Sequence, residues 1–190
     1  MKTEAQLKRR ALLRAAAQLF NEKGYHATSL DEVARRLDVT KPTIYKYIKS
    51  KDQILFDCMR LGIEMMREAI AEAEEAGGSS RDKLRAAMAG YARIVTLDFG
   101  QCLVKVGEEH LPADSKQQLR RLKAEMDQEF RKLIFAAMEE GAIRQRNPKI
   151  VTFVVAGALG WIGRWYNPAG PETAEQIADQ CIDILMEGII

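Results

Sequence analysis

Ser29-Leu30-Asp31-Glu32-Val33-Ala34-Arg35-Arg36-Leu37-Asp38-Val39-Thr40-Lys41-Pro42-Thr43-Ile44-Tyr45-Lys46-Tyr47-Ile48 is the stretch whose reading decides the fold. Ser29 followed three residues later by Glu32 is a capping box, in which the hydroxyl accepts from first-turn amides and the carboxylate reaches back. It opens a short helix running to about Leu37. Asp38 and Val39 then turn the chain, and Thr40 stands where it can cap a third helix with Pro42 in its first turn, where a missing N–H costs nothing. That helix is expected to end near Ile48. Upstream, Leu12, Leu13, Ala16, Leu19 and Phe20 recur at helical spacing between Leu7 and about Glu22, and Gly24 occupies the position of a C-terminal cap. Three helices with a four-residue turn between the second and third have the geometry of a helix-turn-helix, whose third helix enters the major groove of DNA.

The side chains fit that use. Ile44 and Ile48 are four residues apart and face a small core with Val33, Leu37 and Phe20, which leaves Lys41, Thr43, Lys46 and Tyr47 pointing outward. Two lysines, a threonine and a helix start suit phosphates and guanine edges, and Lys51 adds a further phosphate contact. The charge distribution agrees. The chain of 190 residues has a formal charge of only +2, yet residues 1–51 hold 12 Lys/Arg against 5 acids, and the remainder holds 17 against 22. Such a split suits a first quarter that meets a polyanion; a solvated basic face on an ordinary bundle is the alternative.

The rest of the chain reads as helix throughout, so the fold class is all-α. A long helix from Asp52 to Ala76 ends at Gly77-Gly78-Ser79-Ser80, and Arg81 to about Leu97 forms another. A less regular stretch containing Phe99, Gly100, Gly107 and Pro112 follows, where a pocket wall is expected. Helices from Asp114 to Glu140, from Asn147-Pro148 to Tyr166 and from Thr173 to about Ile189 complete a set of about nine. No apolar run approaches a membrane span, and the N-terminus lacks the apolar stretch of a signal peptide, which suggests a cytoplasmic protein. Cys58, Cys102 and Cys181 lie far apart inside helical patterns and read as buried thiols.

The stretch Ala15-Ala-Ala-Gln-Leu-Phe20, then Lys23-Gly24-Tyr25, Ala27-Thr28-Ser29, Val33-Ala34, and Val39 through Tyr45 to Ser50-Lys51 resembles the DNA-binding domain of TetR-family transcriptional regulators over about residues 10–56. The resemblance implies a homodimeric, all-helical repressor. Residues 1–51 would form its DNA-binding domain, and residues 52–190 an effector-binding and dimerisation domain that sets the spacing of two DNA-reading heads. It assigns DNA contacts to Thr28 and Ser29 at the start of the second helix, to Lys41, Pro42, Thr43, Tyr45, Lys46 and Tyr47 on the third, and to Lys51 at the head of the fourth. Two residues depart from the pattern. Asp38 stands where the family usually has Gly, and Ile48 replaces the commoner Phe; Asp tolerates left-handed backbone, and Ile48 still supplies an apolar contact.

Dimerisation in the family usually uses the last two helices. Gly157, Gly160 and Gly163 recur at three-residue intervals, with Trp161 and Trp165 four apart, and Ile177, Cys181, Ile184 and Gly188 offer a matching stripe. The segment Gly160 to Gly170 with Glu175-Gln-Ile-Ala178 is similar to the tail of a TetR-family branch, several members of which sense acyl-CoA or related lipid and aromatic-acid thioesters. An adaptable apolar effector cavity lined by Met59, Met66, Met88, Met126, Tyr91, Phe99 and Trp161 is expected, with Arg93 and Arg164 as candidates for an effector anion. The expected partners are therefore double-stranded operator DNA, a second copy of the chain and a small effector, with no membrane. No cofactor or metal is expected; Glu108-Glu109-His110 cannot present three side chains on one helical face. A helical adaptor, or a small-molecule enzyme without DNA binding, is the alternative; the adaptor leaves the basic first quarter unexplained.

Overall fold

A computed structural model describes residues 3–189. Among them are nine helices and no strand: α1 (Glu4–Lys23), α2 (Leu30–Arg36), α3 (Lys41–Tyr45), α4 (Lys51–Glu75), α5 (Ser80–Val95), α6 (Asp98–Lys105), α7 (Ala113–Glu139), α8 (Pro148–Trp165) and α9 (Ala174–Ile189). Helix α1 starts earlier than the apolar pattern suggests, because Thr3 and Gln6 make a capping box of their own. It stops at Gly24, whose φ of 83° is unfavourable for residues with a Cβ. The capping box of α2 is formed as read: Ser29 Oγ accepts from the Glu32 amide at 3.2 Å, and Glu32 Oε2 accepts from the Ser29 amide at 2.9 Å. Asp38 takes the left-handed conformation of the turn, with φ 53°.

Two expectations about α3 need correction. Thr40 precedes the helix without capping it, because its hydroxyl meets the Thr43 hydroxyl at 3.0 Å instead of a backbone amide. The regular helix ends at Tyr45, not near Ile48. The chain nevertheless keeps turning, and the Ile48 amide donates to the Ile44 carbonyl at 3.2 Å. Both isoleucines are therefore buried as expected, with Val33 and Phe20.

The less regular middle stretch holds α6, which crosses α4 closely. A Cβ on Gly62 would lie 2.8 Å from the Phe99 carbonyl oxygen, so only glycine allows that approach. Helix α1 packs on both α4 and α6, and polar contacts tie it there. Arg9 Nη2 donates to Asp57 Oδ2 at 2.6 Å, Asn21 Nδ2 donates to the Asp98 carbonyl at 2.9 Å, and the buried Cys58 thiol donates to the Leu13 carbonyl at 3.3 Å. Cys102 is buried as well, while Cys181 is half-buried. Helices α4, α5, α7 and α8 pack around a core of Met59, Ile63, Met66, Met88, Leu119, Ile134 and Leu159. Among the described residues, no helix is long and apolar enough to cross a membrane.

Candidate nucleic-acid interface

On α3 and the turn after it, Lys41, Pro42, Tyr45 and Lys46 are exposed, with Ile44 and Ile48 pointing into the core. Tyr45 leaves half of its surface to solvent although it is a large aromatic side chain. Lys41 Nζ donates to Asp31 Oδ2 at 2.9 Å, and this partner raises the lysine's pKa. Thr43 and Tyr47 are only half exposed. They line a shallow groove against Lys8, Ala11 and Leu12 of α1, so Tyr47 turns partly toward α1 and away from the outer face expected for it.

The start of α2 divides the expected pair. Ser29 lies at the surface with its hydroxyl in the capping box. Thr28, by contrast, is only 3% exposed, and its hydroxyl donates to the carbonyls of Gly24 and Leu19 at 2.9 and 3.2 Å. Its side chain closes the α1–α2 corner, which corrects its assignment as a DNA contact. Lys51 is half-buried: Nζ lies 4.2 Å from the centre of the Tyr25 ring and 3.5 Å from the His26 carbonyl. Burial lowers its pKa. Tyr25 in turn donates to Asp52 and stacks on His110 at 4.9 Å, so this corner joins the α1–α2 loop, the head of α4 and the α6–α7 loop.

The expected effector cavity is not assembled from the residues assigned to it. Met59, Met66, Met88, Phe99 and Met126 are packed into the core and Tyr91 lies against it, because aliphatic and thioether side chains fill interhelical space at crystal-like density. Trp161 is 61% exposed, with the Arg164 guanidinium 5.5 Å from its ring centre, so it belongs to no cavity. Arg93 does line an open cleft of about 910 Å³, together with Ala69, Ala73, Gly90 and Tyr166.

The outer surface of α8 is apolar along its length: Ile150, Phe153, Val154, Trp161 and Trp165 are each about half exposed or more. Ile184 of α9 is 70% exposed, and Gly188, one turn on, borders the same hollow as Ile150 and Val154. Gly157 faces outward with nothing near it. Two residues expected on this face point the other way. Gly160 lies against Tyr91, and Ile177 is buried among the protein's own helices. Cys181 is half-buried against the core. The three-residue glycine spacing rotates by about 60° at each step on a helix of 3.6 residues per turn, so the glycines cannot share one face. A contiguous apolar surface of this kind marks an interaction site.

The comparisons agree with this architecture. Residues 12–58 match the family model described as bacterial regulatory proteins, tetR family, and residues 77–189 match that described as tetracyclin repressor-like, C-terminal domain. The transcriptional repressor KstR2 of Rhodococcus jostii is 25% identical over 188 residues, covering 96% of this chain and 91% of its own length. Among solved structures, the TetR family regulator PfmR from Thermus thermophilus is 28% identical with a TM-score of 0.84, covering 93% of this chain and 97% of its own. AibR, solved in complex with isovaleryl coenzyme A and operator DNA, is 27% identical with a TM-score of 0.83, covering 94% of this chain and 98% of its own.

Proposed function

The chain belongs to the TetR family of bacterial transcriptional regulators, and from that premise we propose that it is a repressor that binds a palindromic operator as a homodimer and is released by a small apolar or acyl-CoA-like effector. The observation that carries the DNA-binding part is the outer face of α3, where Lys41, Tyr45 and Lys46 are exposed on a helix held in place by Ile44 and Ile48. Residues 1–51 act as the reading head, with Ser29, Pro42, Thr43, Tyr47 and Lys51 beside that face, and residues 52–190 bind the effector and the second subunit. The dimer is supported by the apolar surface of α8 with Ile184, since contiguous exposed apolar side chains mark interaction sites. The effector class is supported by AibR, whose complex holds isovaleryl coenzyme A.

In this mechanism the two α3 helices of a dimer lie about 34–36 Å apart, one turn of DNA, and so engage successive major grooves. The effector favours a state in which α4 and α6 shift against α1 and carry each head out of that spacing. Arg9–Asp57 and Asn21–Asp98 are the polar ties through which such a shift reaches the head. The test is reciprocity. If isovaleryl-CoA lowers operator affinity by some factor, operator DNA lowers isovaleryl-CoA affinity by the same factor, because linkage requires it of binding free energies. Operator affinity that no acyl-CoA changes would contradict the effector assignment.

A further inference from the structure

A lysine carries its charge at the end of a flexible stem, and fixing that stem on a phosphate costs conformational entropy unless the protein has fixed it beforehand. Lys51, the first residue of α4, is half-buried. Two residues of the α1–α2 loop hold it: its Nζ lies 4.2 Å from the centre of the Tyr25 ring and 3.5 Å from the His26 carbonyl oxygen. Both of those residues are touched by His110, which lies far outside the helix-turn-helix in the α6–α7 loop. The His110 ring stacks on Tyr25 at 4.9 Å with the planes 9° apart, and it meets the His26 ring edge to face at 4.5 Å. His110 is held in its turn. The next residue, Leu111, is buried in the core and donates its amide to the Glu108 carbonyl at 3.0 Å. The Glu108 carboxylate accepts from Arg120 Nε at 2.7 Å and from Lys123 Nζ at 3.1 Å, both on α7. Contacts therefore run without a break from α7, through the loop, to the head of α4.

We propose that His110 is a positioning residue for DNA binding: it fixes Tyr25 and His26 so that the Lys51 ammonium is already in place for an operator phosphate. This rests on the reading of Lys51 as a phosphate contact given above. An ammonium has three donors; the His26 carbonyl takes one, and the others remain for the phosphate. Without the His110 ring, Tyr25 keeps its hydroxyl bond to Asp52 but loses the partner stacked on its ring, and the His26 ring loses its edge contact. Lys51 then has to be ordered at the moment of binding. His110 thus makes no contact with DNA itself, yet sets the strength of a phosphate contact in the reading head.

The experiment measures affinity for the duplex that the protein enriches from random DNA, by fluorescence anisotropy, in wild type, Lys51→Ala, His110→Ala, His110→Phe and the double variant Lys51→Ala/His110→Ala. Lys51→Ala checks the premise: loss of two lysines per dimer should make the slope of log affinity against log salt shallower by about 1.8. His110→Ala is expected to weaken binding about fivefold or more, since two lysine side chains per dimer must then be ordered on the DNA. His110→Phe restores a stacking ring and is expected to bind within about twofold of wild type. In the Lys51→Ala background, His110→Ala is expected to change nothing further, whereas a residue that merely stabilises the loop would weaken binding equally with or without Lys51. If His110→Ala melts too low to assay, His110→Leu, which fills the space without an aromatic ring, takes its place with the same expected loss. Equal losses in the two backgrounds, an equal loss in His110→Phe, or wild-type affinity in His110→Ala overturns this inference and leaves DNA binding standing. An unchanged salt slope in Lys51→Ala overturns it together with the Lys51 assignment, and failure to enrich any duplex overturns it together with the DNA-reading account.

Discussion

Replacing Lys46 by alanine tests the reading face quantitatively. Lys46 is exposed just past the end of α3, and its backbone N–H already returns to the Ile44 carbonyl, so removing the side chain leaves the small core of Ile44, Ile48, Val33 and Phe20 untouched. Each phosphate neutralised by a lysine contributes about 0.9 to the slope of log affinity against log salt. One Lys46 in each head of a dimer gives two such contacts, so the variant should have a slope shallower by about 1.8. Over a fourfold change in salt, from about 50 to 200 mM, the wild type should therefore lose about twelvefold more affinity than the variant. At a fixed salt, two exposed charge contacts of about 0.5–1 kcal/mol each predict a loss of about 5- to 30-fold. Fluorescence anisotropy with a labelled operator at four salt concentrations measures both quantities. An unchanged slope and affinity, in a variant that melts like the wild type, would refute the placement of α3 on the DNA backbone. Lys41→Ala should have a smaller effect, because in the free protein Lys41 is already paired with Asp31.

Asp57→Asn removes the charge that ties α1 to α4. Asp57 is buried while Arg9 and Arg60 are about one-third exposed and can rehydrate, so the cost should be about 1–3 kcal/mol, below the usual value for a fully buried pair, and calorimetry should show melting lowered by several degrees. Trp161→Glu places a charge in the middle of the exposed α8 surface and should shift sedimentation from dimer to monomer; an unchanged dimer would move the interface elsewhere. The Glu32 carboxyl pKa is lowered to about 2 by Lys23 and by the Ser29 amide. A lowered carboxylate pKa contributes stability above the ordinary value near 4.5 that is lost as pH falls toward about 2, so Glu32→Gln should flatten that part of the acid-unfolding profile. An identical profile in the variant would separate Glu32 from the stability of α2.

The parts of the fold legible in the sequence are those governed by local chemistry. Ser29 and Glu32 cap α2 through contacts within four residues, Gly24 ends α1 because its backbone turns to positive φ, and the spacing of Ile44 and Ile48 fixes which side of α3 is buried. Where burial depends on distant partners, the pattern runs out. Thr28 and Ser29 are adjacent polar residues before a helix, and only the corner formed with Leu19 and Gly24 turns one inward. Helix α8 is apolar around most of its circumference, so periodicity cannot say that Gly160 faces Tyr91 while Trp161 faces solvent. The methionines satisfy the requirements of a cavity lining and of a packed core equally well in sequence; the packing of α4, α5, α7 and α8 around them decides for core.

The central claim, that this chain reads DNA sequence as a symmetric dimer, is tested most directly by selecting binders from a pool of random duplexes with the purified protein through several rounds at one fixed salt concentration. The account predicts enrichment of a palindrome whose half-sites are separated by about one helical turn. A folded, dimeric protein that enriches no sequence at all would contradict it.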